Sequence, residues 1–341
     1  MANVLMLAVA GAGKTTHLVN SLNENERFLI VTYTTNNVEN IRRKIIRRFS
    51  YFPSNITLMS YYVFLYNICF LPYSKYELKP TGISWKQPWP EIRYLKSDNP
   101  FFYRTRDGLL YHNRIAKYCH DFHLDEIRRR IEKYFNHFYF DEVQDLAGQD
   151  FGFIHDLFPL RIDALLVGDF FQHTFETSRD GNKGGSLYDD YTKYLLNWSH
   201  IQVDTTTLAK SFRCTKQICT FVSESMGIAI DSHQEADSQI VVLESQEEAD
   251  AILLDSRIMK LVYQTSYKYE FRAMNWGASK GLDDFEDVCV ILNKTTFRNY
   301  KANTLQQLAA SSRNKLYVAC TRAHRHLYIM SDEYASAYKT K

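Results

Sequence analysis

Apolar residues fall in short runs along this chain. Val4-Leu5-Met6-Leu7, Phe28 to Tyr33, Ile56 to Met59, Phe138-Tyr139-Phe140 and Ala164 to Val167 are too short for buried helices. They read as strands covered on both faces. Asn36 to Phe49, Tyr61 to Phe70 and Asp121 to Phe135 read as helices between them. This alternation predicts an α/β fold, with a parallel sheet and helices on both faces. From Pro72 to about Pro100 the pattern breaks into scattered Pro, Gly and Trp with Lys and Arg, which reads as part of an insertion over about residues 67–130. A loop is expected around Asn182-Lys183-Gly184-Gly185. A second αβ region begins near Ile201. It comprises the helix Thr215 to Met226, the strand Gln239 to Leu243, the helix Glu247 to Leu254, the strand Asp287 to Leu292 and a closing helix and strand from Ser312 to Ile329. Two domains follow, 1–200 and 201–341, with no internal repeat.

Composition narrows the partners. A chain of 341 residues with net charge +2 has no global field to hold nucleic acid, so any such contact comes from local patches. The cysteines at 69, 119, 214, 219, 289 and 320 stand singly, which indicates neither a zinc ribbon nor a disulfide framework. A reduced, cytoplasmic setting fits. No signal peptide is read at the N-terminus and no run approaches the ~18 apolar residues of a membrane span, so no membrane partner is expected.

The chemistry starts with Ala8-Val9-Ala10-Gly11-Ala12-Gly13-Lys14-Thr15, set between the first strand and Thr16-His17-Leu18-Val19. Strand, glycine loop and helix together make a phosphate cradle. Backbone N–H groups from Ala10 to Thr16 and the helix N-terminus face a polyphosphate, Lys14 reaches its β/γ phosphates and Thr15 reaches Mg²⁺. Asp141 and Glu142 stand at the end of a buried strand. Asp141 is assigned to the metal and Glu142 to the base that orients water. Val167-Gly168-Asp169-Phe170-Phe171-Gln172 ends the next strand, and Gln172 is placed to sense the γ-phosphate.

These residues carry a resemblance. Ala-x-Ala-Gly-x-Gly-Lys-Thr, Asp141-Glu142-Val143-Gln144-Asp145 and Gly168-Asp169-x-x-Gln172 occur in the order seen in UvrD/Rep-like superfamily 1 DNA helicases. Thr32-Tyr33-Thr34-Thr35-Asn36, Leu208-Ala209-Lys210-Ser211-Phe212-Arg213, Ser279-Lys280-Gly281-Leu282 and Lys315 to Ala323 resemble further motifs of that family. The resemblance implies two RecA-like P-loop NTPase domains, with ATP and Mg²⁺ bound in the cleft between them. It implies that Arg213 and Arg322 reach the γ-phosphate, that Phe212 stacks on the base, and that Gln144 couples nucleotide to nucleic acid. Thr34, Asn36, Ser60, Tyr61, Phe64 and Lys280 are the implied contacts to single-stranded DNA. The basic run Arg42 to Arg48 reads as a solvated helix face.

The sequence departs from the family at several points. Met1 lies close before the phosphate loop, where the family carries an adenine-reading segment. The first insertion is small and no large second one fits between Arg213 and Ser279. Gly277 replaces a His, Asp283-Asp284-Phe285 carries an extra residue, and Phe175 and Thr177 occupy the place of a base-stacking Trp. The expected activity is an ATP-driven translocase or helicase on single-stranded DNA, with 3′–5′ polarity; RNA as the track is the lesser alternative. The competing reading is a nucleotide-dependent regulatory subunit, bound to a partner such as a nuclease of a bacterial defence or mobile-element complex, with no unwinding of its own.

Overall fold

The structure is a computed structural model that describes residues 2–174, 187–282 and 284–340. Phe175, Thr177, the loop at 182–185 and Asp283 lie outside the described residues. The chain divides into two compact units. The first holds residues 2–6, 15–168 and 187–204; the second holds 7–14, 169–174, 205–282 and 284–340.

In the first unit the short apolar runs become strands β1 (Asn3–Leu7), β2 (Phe28–Thr32) and β3 (Ile56–Ser60). Helices α1 (Lys14–Asn20) and α2 (Thr35–Phe49) connect them. Thr34 starts α2 because its side chain accepts a hydrogen bond from the Asn37 N–H, satisfying one of the orphan donors of the first turn. Helix α3 (Tyr61–Phe64) runs through a π-helical stretch, Leu65–Phe70, into α4 (Leu71–Leu78). Two short paired strands, β4 (Gly82–Ser84) and β5 (Leu109–Tyr111), frame the region where the pattern had broken. Helix α5 then spans His112–Tyr134, two turns longer at its start than the sequence suggested. Those turns carry His112, Asn113 and Arg114, which are polar yet buried, so an apolar-periodicity reading passes over them.

Strand β6 (His137–Asp141), helix α6 (Gly148–Leu157), strand β7 (Asp163–Gly168), helix α7 (Tyr191–Asn197) and strand β8 (Gln202–Asp204) complete the unit. The sheet order is β3-β2-β6-β7-β1-β8. The β2–β3, β2–β6, β6–β7 and β1–β8 pairs are all parallel. Every residue of β2 is buried, as a central parallel strand requires. Phe28 and Ile30 pack with Leu18 of α1, Leu22 just beyond its end, and Ile41 and Ile45 of α2. The first sheet thus takes a strand from beyond residue 200, and the two units part after Asp204.

The second unit contains β9 (Lys210–Thr215), α8 (Lys216–Met226) and β10 (Asp231–Gln234), with β9 and β10 forming a parallel pair. Its main sheet uses β11 (Ile240–Val242), β12 (Met259–Val262), β13 (Ala273–Asn275), β14 (Val288–Leu292) and β15 (Leu327–Ser331), in the order β11-β15-β14-β12-β13. All its pairings are parallel. Helices α9 (Gln246–Leu254), α10 (Lys294–Lys301) and α11 (Ala310–Cys320) connect them. Val288, Val290 and Leu292 enter one core with Ile218, Val222, Leu316 and Tyr317. Cys289 and Ile291 enter another with Ala249, Leu253 and Ile258. That period of two means both sheet faces are covered. All six cysteines are buried and unbridged. No helix among the described residues is long and apolar enough to cross a membrane.

Candidate functional site

The phosphate loop leaves the C-terminal end of β1, the edge at which open parallel sheets bind ligands. Gly11 and Gly13 take φ of 71° and 78°, which only glycine adopts cheaply. Gly11 is fixed a second way. A Cβ there would sit 2.6 Å from both Arg213 Cβ and Ser211 Oγ. The Phe212 N–H donates to the Gly11 carbonyl at 2.9 Å, and the Val9 N–H to the Leu208 carbonyl at 3.0 Å. The segment carrying Phe212 and Arg213 therefore lies directly along the loop, inside the second unit.

A buried hydrogen-bond chain ties the loop to the Gly-Asp-x-x-Gln segment. The Ala10 N–H donates to the Tyr317 hydroxyl at 2.7 Å, which donates to Asp169 Oδ2 at 3.1 Å. Gln172 Nε2 donates to the same oxygen at 2.8 Å, and the Phe171 N–H reaches Oδ1 at 3.1 Å. Burial first, then the Asp169 carboxylate, pushes the Tyr317 phenol far above its ordinary range, so it remains a donor at any working pH. Ala10 was expected to offer its N–H to phosphate; that N–H is directed at Tyr317 instead. Tyr317 escaped the sequence reading because it sits in an apolar helical run where a hydroxyl gives no signal.

The first unit supplies Thr15, Thr16, Asp141, Glu142 and Gln144. Thr15 Oγ1 donates to Asp141 Oδ2 at 3.3 Å, joining the two residues assigned to Mg²⁺. Two hard oxygen donors side by side, with the carboxylate 2 % exposed, suit that ion. Thr16 Oγ1 accepts from Lys44 Nζ at 2.9 Å, so one cation of the basic run turns back to the loop helix. Arg42 and Arg48 lie over Phe52 and Phe49, so part of that run packs on aromatic faces. Glu142 adopts φ 61°, ψ 45°, a left-handed backbone unusual for a non-glycine residue and of the kind that gathers at functional sites. Its N–H donates to Asp141 Oδ1 at 3.1 Å, and its carboxylate accepts from Gln144 Nε2. Gln144 is buried against Gly168, where a Cβ would stand 2.5 Å from Gln144 Oε1.

The remaining expected residues separate. Arg213 Nη1 donates to the Thr321 carbonyl at 3.2 Å. Arg322 is 1 % exposed, with its guanidinium donating to the Val318 and Leu282 carbonyls at 3.1 and 3.0 Å. Phe212 is 59 % exposed and stacks on His233 at 4.1 Å with 13° between the rings, so two aromatic faces stand beside the loop where one was expected. Lys280 closes the short turn Gly277–Ser279 and is half-buried. A side chain at Gly277 would meet nothing closer than 3.6 Å, so the missing His reflects no lack of space. Thr34 and Asn36 are exposed and Ser60 half-buried at the ends of β2 and β3. Tyr61 and Phe64 are 0 % exposed, and the Tyr61 hydroxyl donates to Asp150 at 3.1 Å, so neither offers a face to a base.

No family model matches the sequence, and no curated protein matches it. Among solved structures it is similar to the PRRSV helicase, at 13% identity and a TM-score of 0.48, over 97% of this chain and 52% of that one. Two structures of Arterivirus nonstructural protein 10 (helicase), one in complex with DNA, match at the same identity and score. They cover 96% and 98% of this chain and 60% and 62% of theirs, so the chain spans between half and two thirds of the length of these structures.

Proposed function

We propose that this chain is a nucleoside triphosphate hydrolase of the superfamily 1 helicase type, resembling its UvrD/Rep-like branch, that moves along single-stranded DNA. The observation that carries the reading is the Thr15–Asp141 hydrogen bond, made by the residue that directly follows the glycine loop in sequence. The loop N–H groups from Gly11 to Thr16 and Lys14 bind the triphosphate. Thr15 and Asp141 hold Mg²⁺, which neutralises charge on the phosphate oxygens. Glu142 orients the attacking water, held in its unusual backbone conformation and by Gln144. Arg213, packed along the loop, stabilises the charge that develops on the transferred phosphoryl group, and Arg322 does so once it leaves its present carbonyl partners. Gln172 reports the γ-phosphate by exchanging its Asp169 partner for a phosphate oxygen. Phe212 and His233 receive the base.

The test is hydrolysis of ATP and GTP with and without single-stranded DNA and RNA. Hydrolysis stimulated by DNA is expected, and Lys14→Ala or Glu142→Gln abolishes it. Turnover surviving in either variant removes the catalytic assignment. Turnover indifferent to any strand removes the translocase and favours a nucleotide switch acting on a protein partner.

A further inference from the structure

The chain has four tryptophans, and the structure sorts them sharply. Trp198 and Trp276 are 0 % exposed, whereas Trp85 and Trp89 are 63 % and 73 % exposed. Both exposed ones lie in the connection from residue 79 to residue 111. That connection carries six Lys and Arg against three Asp and Glu, a net charge of +3, while the whole chain carries +2. The connection is thus one of the local basic segments that a near-neutral chain can offer a polyanion.

Trp85 is held in place from both sides. Ser84 before it pairs with Tyr111 in the β4–β5 ladder, and its carbonyl lies 3.1 Å from His112 Nδ1. Gln87 after it accepts from Asn113 Nδ2 at 2.9 Å. The indole packs at 84° on Tyr62, 4.7 Å between centroids, and tilts against His112 at 5.6 Å. Tyr62 in turn meets Tyr33 at 6.1 Å. Tyr33 is the first residue after β2 and Tyr62 the second after β3, so the aromatic row starts at the strand ends next to Thr34 and Ser60 and ends on an indole open to solvent. An exposed, pre-oriented aromatic beside Lys86 offers stacking without the entropy of ordering a loop.

We propose that Trp85 is a base-stacking platform for single-stranded nucleic acid, with Lys86 and the surrounding basic connection following the strand's phosphates. It supplies the stacking face that buried Tyr61 and Phe64 cannot. The proposal rests on the nucleic-acid reading above and extends it to a surface outside the family motifs.

Tryptophan emission of the full chain, titrated with oligothymidylate and in parallel with oligouridylate, tests it, with strand binding followed independently by anisotropy. Stacking quenches an exposed indole. The wild type and Trp89→Phe are expected to show quenching, and Trp85→Phe to lose it. Trp85→Ala is expected to weaken binding about 5- to 150-fold, the equivalent of one stacked base, with Trp85→Phe restoring most of it. Hydrolysis without a strand stays at the wild-type rate in all three variants, which shows that they fold. Equal quenching in Trp85→Phe and Trp89→Phe, or unchanged binding by Trp85→Ala, overturns the proposal and leaves the translocase standing. No binding of either strand by the wild type removes both. The two oligonucleotides distinguish a DNA track from an RNA track.

Discussion

Tyr317→Phe isolates one hydroxyl in the middle of the site. The ring and its packing against Phe171, 6.0 Å between centroids, are kept. What is lost is the bridge from the Ala10 N–H to Asp169. Ala10 is 0 % exposed, so no water replaces the acceptor, and a buried donor left without one costs about 1–3 kcal/mol. Asp169, 1 % exposed, loses a donor to a charged group, worth about 1.5–3 kcal/mol, although it keeps Gln172 and the Phe171 N–H. The two losses share one atom and do not add, so a net of roughly 2–4 kcal/mol is expected. Spread over the ~150 residues of the second unit, that lowers its melting midpoint by about 5–15 °C. The loop and Gln172 are held through the same carboxylate oxygen, so the variant also weakens binding of a non-hydrolysable ATP analogue. Calorimetric melting with and without the analogue reads both effects. Asp169→Asn, which keeps an acceptor for Tyr317, is expected to destabilise less. A Tyr317→Phe midpoint within about 2 °C of the parent, together with unchanged analogue affinity, would refute the bridge as the tie between the loop and the Asp169–Gln172 segment.

Further outcomes follow from close approaches and from one titrating group. Gly11→Ala brings a Cβ within 2.6 Å of Arg213 and Ser211 at a positive φ, so nucleotide affinity measured by calorimetry is expected to fall by at least an order of magnitude. Gly168→Ala pushes on Gln144 and on Val143, 2.7 Å away, and is expected to lower kcat more than it raises KM, since it disturbs Glu142 through Gln144. Burial first, then the charge of His155, holds the His200 imidazole below its ordinary 6.5. The unfolded chain therefore binds that proton more readily, and stability is lost as pH falls through 6.5 and recovered above it. His200→Asn should flatten that part of the melting profile; an unchanged profile removes His200 as its source.

The strands most legible in the sequence were those whose apolar runs outlast their turns: β2, β3, β6, β7 and β14. Strands β8, β10 and β13 have three or four residues with polar members and so no apolar run to mark them; β8 moreover owes its place to β1, at the other end of the first unit's sequence. Helix α6 escaped notice because Gly148, Asp150 and Gly152 interrupt it, though Asp150 is buried under Tyr61. The loop, Asp141, Glu142 and Gln172 could be placed at or just after strand ends because each follows a short apolar run. The packing roles were not. Tyr61 and Phe64 look like stacking aromatics in sequence, and only burial makes them core. Trp85 looks like debris in a broken pattern, and only the ladder and His112 make it a fixed surface.

The bond from Ala10 to Tyr317 spans 307 residues. At a synthesis rate of about 5–20 residues per second, the start of the loop waits roughly 15–60 s for the ring that anchors it. Strand β1 likewise gains β8 only after some two hundred residues have been made. Nearly all paired strands in both main sheets are parallel and joined by crossovers, a topology rich in distant contacts that folds slowly. The loop is thus secured only late, once α11 has been made, and a nascent chain stalled before α11 would carry every loop residue without its anchor.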